Sequence, residues 1–123
     1  FAAETNPDLI CDIATLTGAS VVALGLDIGA TFSNNKDLEK KFIECAKSIK
    51  EEFHPLPLFD GYRKLIDSDL ADMKNTGGRF GGAITAALLL KEQGGFLYSA
   101  VFMVYKNCFK KSCRSICLQS SFL

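Results

Sequence analysis

The sequence predicts an α/β fold, and three observations carry that prediction. Short apolar runs of strand length, such as Asp8–Thr15, are interleaved with stretches whose apolar residues recur at helical spacing, such as Leu38, Phe42, Cys45 and Ile49. The joints between them carry residues that turn the chain, among them Asn6-Pro7, Thr17-Gly18, Pro55 and Pro57. Strands alternating with helices bury their apolar surface as helices packed on a largely parallel or mixed sheet. The 123 residues suffice for one domain or part of one, and 48% hydrophobic with 23% charged residues is the composition of a packed protein, not a disordered one.

Taken in order, Phe1–Thr5 reads as the end of a helix, broken at Asn6-Pro7 because the residue before proline is pushed out of the helical region. Asp8–Thr15 (DLICDIAT), rich in Ile and Leu, is expected to be a buried strand, and Thr17-Gly18 a turn. Ala19–Leu24 (ASVVAL) is too short to assign by period; a short helix on the sheet is expected, with a second strand as the alternative. Asp27–Phe32 is the next expected strand. Asn34 or Asn35 can cap the following helix by accepting from free amides of its first turn. In that helix Leu38, Phe42, Cys45, Ile49 and Phe53 share one face at period 3.6, while Lys40, Lys41, Glu44, Lys47 and Lys50 lie mostly elsewhere. An apolar face on a sheet and a charged face in water account for all of it.

Pro55 and Pro57 end that region. Phe59–Ile66 is expected to be a short helix with Tyr62, Leu65 and Ile66 inward, and Asp69–Met73 a strand. Asn75–Gly82 (NTGGRFGG) is a loop that needs unusual backbone angles or close approach. Ala83–Gln93 follows as a helix whose small face (Ala83, Ala86, Ala87) suits tight packing on a sheet or another helix. From Gly94 the character changes: Phe96–Tyr105 fits a strand, and Lys106–Leu123 mixes Cys, Lys and Ser without a period.

Lys+Arg and Asp+Glu both number 14, so no long-range field draws the chain to nucleic acid or to an anionic membrane, and neither is expected as a partner. The apolar runs Ala83–Leu90 and Phe96–Tyr105 fall short of the roughly 20 residues that span a bilayer. Phe1-Ala2-Ala3-Glu4 lacks the basic start and cleavage pattern of a secretory signal. The cysteines (Cys11, Cys45, Cys108, Cys113, Cys117) are odd in number and three crowd near the C-terminus, unlike an extracellular disulfide framework. Reduced thiols in the cytoplasm are the expectation, with Cys11 a small hydrophobe in its strand.

Several groups invite a chemical reading. Thr15–Gly18 follows a predicted strand and precedes a predicted helix. Ligands of open α/β sheets bind beyond the carboxyl ends of strands, and helix N-termini offer amides to anions; an ordinary strand-to-helix turn is the alternative. Gly77–Gly82 around Arg79 lacks the Lys-Ser/Thr ending of a phosphate-binding P-loop, so a tight turn is preferred. Asp67, Asp69 and Asp72 have no histidine beside them and read as a solvated edge. His54, the single histidine, has no indicated Ser or Cys partner for nucleophilic catalysis. Cys108, Cys113 and Cys117 lack the fourth ligand of a zinc site.

Asn6-Pro7-Asp8-Leu9-Ile10 followed by Ala14-Thr15-Leu16-Thr17-Gly18-Ala19 resembles the leucyl aminopeptidase (cytosol aminopeptidase) family. So do Val22-Ala23-Leu24-Gly25, Leu56-Pro57-Leu58, Ala71-Asp72-Met73-Lys74-Asn75 and Gly81-Gly82-Ala83-Ile84-Thr85-Ala86-Ala87, in the family's order. The resemblance covers residues 1–93, read as a partial catalytic domain; residues 94–123 form a divergent tail. It implies part of a mixed-sheet α/β catalytic domain from a cytoplasmic hexamer that removes N-terminal residues, often leucine, from peptides. It further implies two divalent metals, zinc, manganese or magnesium, which activate a water and polarise the scissile carbonyl.

Carried onto this sequence, the resemblance makes Thr15 part of the pocket for the substrate's first side chain and gives Thr76 the same role. Leu16 and Gly18 offer backbone groups to substrate, and the Leu16 amide faces a bound anion, bicarbonate in the family. The family's metal ligands and its catalytic Lys and Arg precede this stretch, the nearest motif being Asn-Thr-Asp-Ala-Glu-Gly-Arg, which is absent here. After the Ala-rich helix the family reads Trp-Ala-His and then Asp-Ile-Ala-Gly, where this chain has Gly95-Phe96-Leu97-Tyr98-Ser99-Ala100. The chain is therefore expected to carry part of a substrate pocket, no catalytic residue and no metal ligand, and to bind no metal by itself. The alternative is an inactive fragment serving at most as an assembly or interaction module.

Overall fold

Ala30, Thr31, Phe32 and Ser33 are consecutive and all buried, which a strand achieves only when both its faces are covered. In a computed structural model, which describes residues 8–94 and 99–103, they belong to β2 (Ile28–Ser33), an inner strand of a four-stranded mixed sheet ordered β1-β4-β2-β3. β1 (Ile10–Ala14) runs parallel to β4 (Ser99–Met103), β4 antiparallel to β2, and β2 parallel to β3 (Glu52–Pro55). The predicted α/β class and mixed sheet are what the chain adopts. The predicted helix end at Phe1–Thr5, the Asn6-Pro7 break and Cys108, Cys113 and Cys117 lie outside the described residues.

Alternation along β2 divides the core. Ala30 and Phe32 face α1 (Ala19–Leu24) and α3 (Gly82–Gly94), packing with Ala83 and Ala87. Gly29 and Thr31 face α2 (Lys36–Ser48). The small helix face predicted from Ala83, Ala86 and Ala87 is the one that meets the sheet, with Ala86 half-buried. Asn35 is the cap of α2: its Oδ1 accepts from the amides of Asp37 at 3.1 Å and Leu38 at 3.0 Å.

The inward face of α2 sits about one residue away from the predicted one. Glu39 and Ala46 are buried, Phe42 and Ile43 pack beside them, and Leu38, Cys45 and Ile49 are half-buried. Glu39 is the departure that apolar periodicity cannot foresee. Its carboxylate accepts from the Thr31 hydroxyl at 3.1 Å and from the Lys36 ammonium at 2.9 Å, so the charge goes under cover with both oxygens partnered.

Phe53 does not close the α2 face as its spacing suggests; it lies in β3, a strand absent from the sequence reading. Its ring packs edge-to-face on Phe42 with centroids 5.0 Å apart, and it covers Gly29, where an added Cβ would stand 2.4 Å from the ring. Pro55 is tolerated because β3 is an edge strand. α2 ends earlier because the Lys50 amide donates to Lys47 O and the Glu51 amide to Ala46 O, both at 3.0 Å, a Schellman motif with Lys50 at φ 63°. A side chain in that left-handed conformation costs about 1–2 kcal/mol. Lys50→Gly is expected to raise stability by roughly 0.5–1 kcal/mol once glycine's extra unfolded freedom is subtracted. A denaturation midpoint that stays put or falls would contradict this.

Three other expectations change. Asp8–Thr15 is not a fully buried strand: β1 lies at the edge of the described sheet, with Cys11 exposed, Ile13 46% exposed and Ile10, Asp12 and Ala14 half-buried. The helix Asp60–Ile66 is of the 3-10 type, whose three-residue turn stacks Arg63 over Ile66 and Tyr62 over Leu65. Ile66 is therefore buried against Leu88 and Leu89 while Tyr62 and Leu65 keep 37% and 38% of their surface exposed. Asp69–Met73 forms bends, not a strand, because the Ser68 hydroxyl accepts from the amides of Leu70 and Ala71 at 3.2 Å each and curls the backbone locally.

Candidate functional site

The loop Thr15–Gly18 leaves the carboxyl end of β1 and enters α1, as its sequence suggests. Thr15 and Gly18 are exposed, Leu16 is 45% exposed, and Thr17 is half-buried. Thr17, to which the sequence reading gave no separate role, organises the turn. Its Oγ1 accepts from the Ala19 amide at 3.2 Å, and its carbonyl accepts from the buried Ser20 hydroxyl at 3.0 Å. One amide at the start of α1 is thereby satisfied within the chain.

The second loop, residues 75–82, arrives beside the first. Gly78 (φ 95°) and Gly81 (φ 65°) take left-handed angles that disfavour any side chain. At Gly81 an added Cβ would also stand 2.9 Å from the Tyr62 ring. Thr76 is exposed, and its Oγ1 accepts from the Gly78 amide at 3.4 Å. The two glycine angles make the loop a constrained turn. It runs into α3 through Gly82, where a Cβ would come within 3.1 Å of Ala19 Cβ at the start of α1.

Between the two loops lies an open groove of about 680 Å³, walled by Thr17, Ala19, Val22 and Ala23 on one side, residues 78–84 on the other, and Leu56-Pro57. Its walls are mainly apolar, with Arg79 in one of them. The structure thus brings the two predicted loops to one place. The groove is lined by Thr17 from the first and by Gly78–Gly82 from the second; Thr15, Leu16, Gly18 and Thr76 stand outside its lining. Leu56-Pro57, given no site role from the sequence, joins the groove through the Leu56 amide, which donates to Thr31 O at 2.8 Å and extends the end of β3.

The residues dismissed as ligands or nucleophiles are dispersed. Asp67 pairs with Arg63 at 2.5 Å, and Asp69 and Asp72 are exposed. His54 is exposed on β3, its Nδ1 donating to the neighbouring Pro55 carbonyl at 3.0 Å. Among the described residues no three of His, Cys, Asp and Glu gather closely enough to hold a metal ion, so this donor set does not fit the two metals that the resemblance implies. Among the same residues no helix is long and apolar enough to cross a membrane.

Comparison with known proteins gives a consistent picture. The family model described as the cytosol aminopeptidase family, catalytic domain, matches residues 1–101. A probable cytosol aminopeptidase of Chlorobaculum tepidum is 51% identical over 89 residues, covering 72% of this chain and 18% of that protein. One from Prochlorococcus marinus strain MIT 9211 is 50% identical over 92 residues, covering 75% and 19%. Among solved structures, a mutant of tomato leucine aminopeptidase superposes with a TM-score of 0.77 at 36% identity, covering 83% of this chain and 20% of that one. The bottromycin maturation enzyme BotP gives 0.77 at 33% identity, covering 84% and 24%. The chain spans about a fifth of the length of the curated relatives it matches. A match over most of the sequence and close agreement in fold lead to one conclusion: the chain belongs to the cytosol aminopeptidase family and carries a stretch of its catalytic domain.

Proposed function

We propose that this chain supplies part of the substrate-binding wall of a leucyl aminopeptidase, which removes N-terminal residues from peptides using two divalent metals. In this reading Thr15 and Thr76 shape the pocket for the first side chain of the substrate, while Leu16 and Gly18 present backbone groups to it. The metals, the catalytic Lys and Arg and their chemistry belong to parts of a family-length protein outside this stretch. What this chain contributes is shape, hydrogen bonding and exclusion of water. The cytoplasm and a hexamer of such proteins are the proposed setting.

The observation that carries this reading is Gly18. Its φ of −69° is ordinary for any residue, and an added Cβ would meet nothing within 4 Å. Glycine suits the N-cap position it holds on α1, and its missing side chain also leaves the backbone open to the close approach of a ligand. A second reading, an inactive module for assembly, draws on exposed apolar side chains early in the chain: Val22 is 90%, Leu26 48% and Ile28 40% exposed.

Exchange of residues 1–93 into the Chlorobaculum tepidum relative tests the first reading. The exchange protein is expected to hydrolyse leucine amide with added Mn²⁺. Thr15→Leu within it is expected to lower kcat/KM for leucine amide relative to alanine amide by roughly tenfold or more, the scale at which methylene-sized differences are discriminated in apolar pockets. An unchanged ratio would remove Thr15 from the pocket.

A further inference from the structure

We propose that Ala19 and Gly82 are positioning residues whose close approach sets the spacing of the two substrate loops; this rests on the pocket reading above. Ala19 is the first residue of α1, directly after Thr15–Gly18, and Gly82 is the first residue of α3, directly after the glycine-rich loop. The space between them is less than one methyl wide, since a Cβ on Gly82 would lie 3.1 Å from Ala19 Cβ.

Neither partner can yield alone. Ala19 is tied to its loop by the Thr17 hydroxyl, which accepts from its amide, and the buried Ser20 hydroxyl donates to the Thr17 carbonyl. α3 is held on the sheet by Ala83 and Ala87 against Ala30 and Phe32. Thr85, 2% exposed on α3, packs the second loop against the helix: its side chain sits where a Cβ on Gly77, next to Thr76, would come within 2.6 Å, and its hydroxyl donates within the helix to the Gly82 carbonyl at 3.2 Å. A methyl added at Gly82 therefore pushes the segment bearing Thr15–Gly18 away from the segment bearing Thr76. Misplacement of about 1 Å in a binding site costs on the order of 10²-fold in rate, so a shift of a few tenths is worth several-fold.

The test uses the exchange protein, with kcat/KM for leucine amide over that for alanine amide as the readout. Thermal stability is the wrong readout, because alanine is the better helix former and its propensity opposes the clash. Gly82→Ala is expected to change the ratio by roughly threefold to tenfold, and Ala19→Gly combined with Gly82→Ala, which removes the opposing methyl, to return it to within about twofold. A role in folding alone would scale both substrates together. An unchanged ratio in Gly82→Ala, or a changed ratio that Ala19→Gly fails to restore, overturns the proposal. Failure of the pocket reading is seen separately: Thr15→Leu leaves the ratio unchanged, or the folded exchange protein is inactive on both amides and the proposal falls with it.

Discussion

The isolated 123-residue chain is expected to release no leucine from leucine amide, with Mn²⁺ or Zn²⁺ added, above a blank containing the metal alone. Two metals that jointly activate water and polarise a carbonyl must be fixed by several carboxylates, and among the described residues no such group assembles. Asp67 is engaged by Arg63, and Asp69 and Asp72 stand in a bend open to water. Backbone amides of Thr15–Gly18 are donors and cannot replace anionic ligands. Since enzymes exceed the uncatalysed rate by at least about 10⁶-fold, the expected difference between this chain and an active exchange protein is of that order. Turnover by the purified chain that follows protein concentration and is abolished by a chelator would refute it.

Phe32→Ala is expected to cost roughly 3–5 kcal/mol, the range for emptying a fully buried aromatic site. Phe32 is 0% exposed on the inner strand β2 and packs with Ala30, Ala83 and Ala87. Those buried neighbours are alanines, already short, so any refilling of the void falls to the partly buried Leu24, Leu56, Leu58, Ile84 and Leu90 packed around them. Domain stabilities are about 5–15 kcal/mol, so the loss is a large fraction of the whole and is read as a lowered denaturation midpoint with faster proteolysis. Phe80→Ala provides the contrast. Phe80 is 85% exposed at the groove, and its loss is expected to stay within about 0.5 kcal/mol. Equal effects of the two substitutions would mean that β2 is not the packed centre.

Local patterns alone were enough for the α/β class, for α2 with a cap at Asn34 or Asn35, for the Ala-rich α3 and for the two loops that lead into α1 and α3. Each rests on forces that act within a few residues: a capping side chain reaching the first turn, an apolar face repeating at 3.6, glycine where φ is positive. The ordered family blocks were equally legible, because they are statements about sequence. Fold alone decided the rest. Phe53 continues the helical period, yet Lys50 turns left-handed and delivers it to β3, where Gly29 leaves room for its ring. Glu39 looks like any outward charge until Thr31 comes across from β2 to meet it. The groove joins residues about sixty positions apart through the Ala19–Gly82 approach. Burial, partners and distances of this kind depend on which segments meet, and that is set by the global packing of the chain, not by the residues on either side.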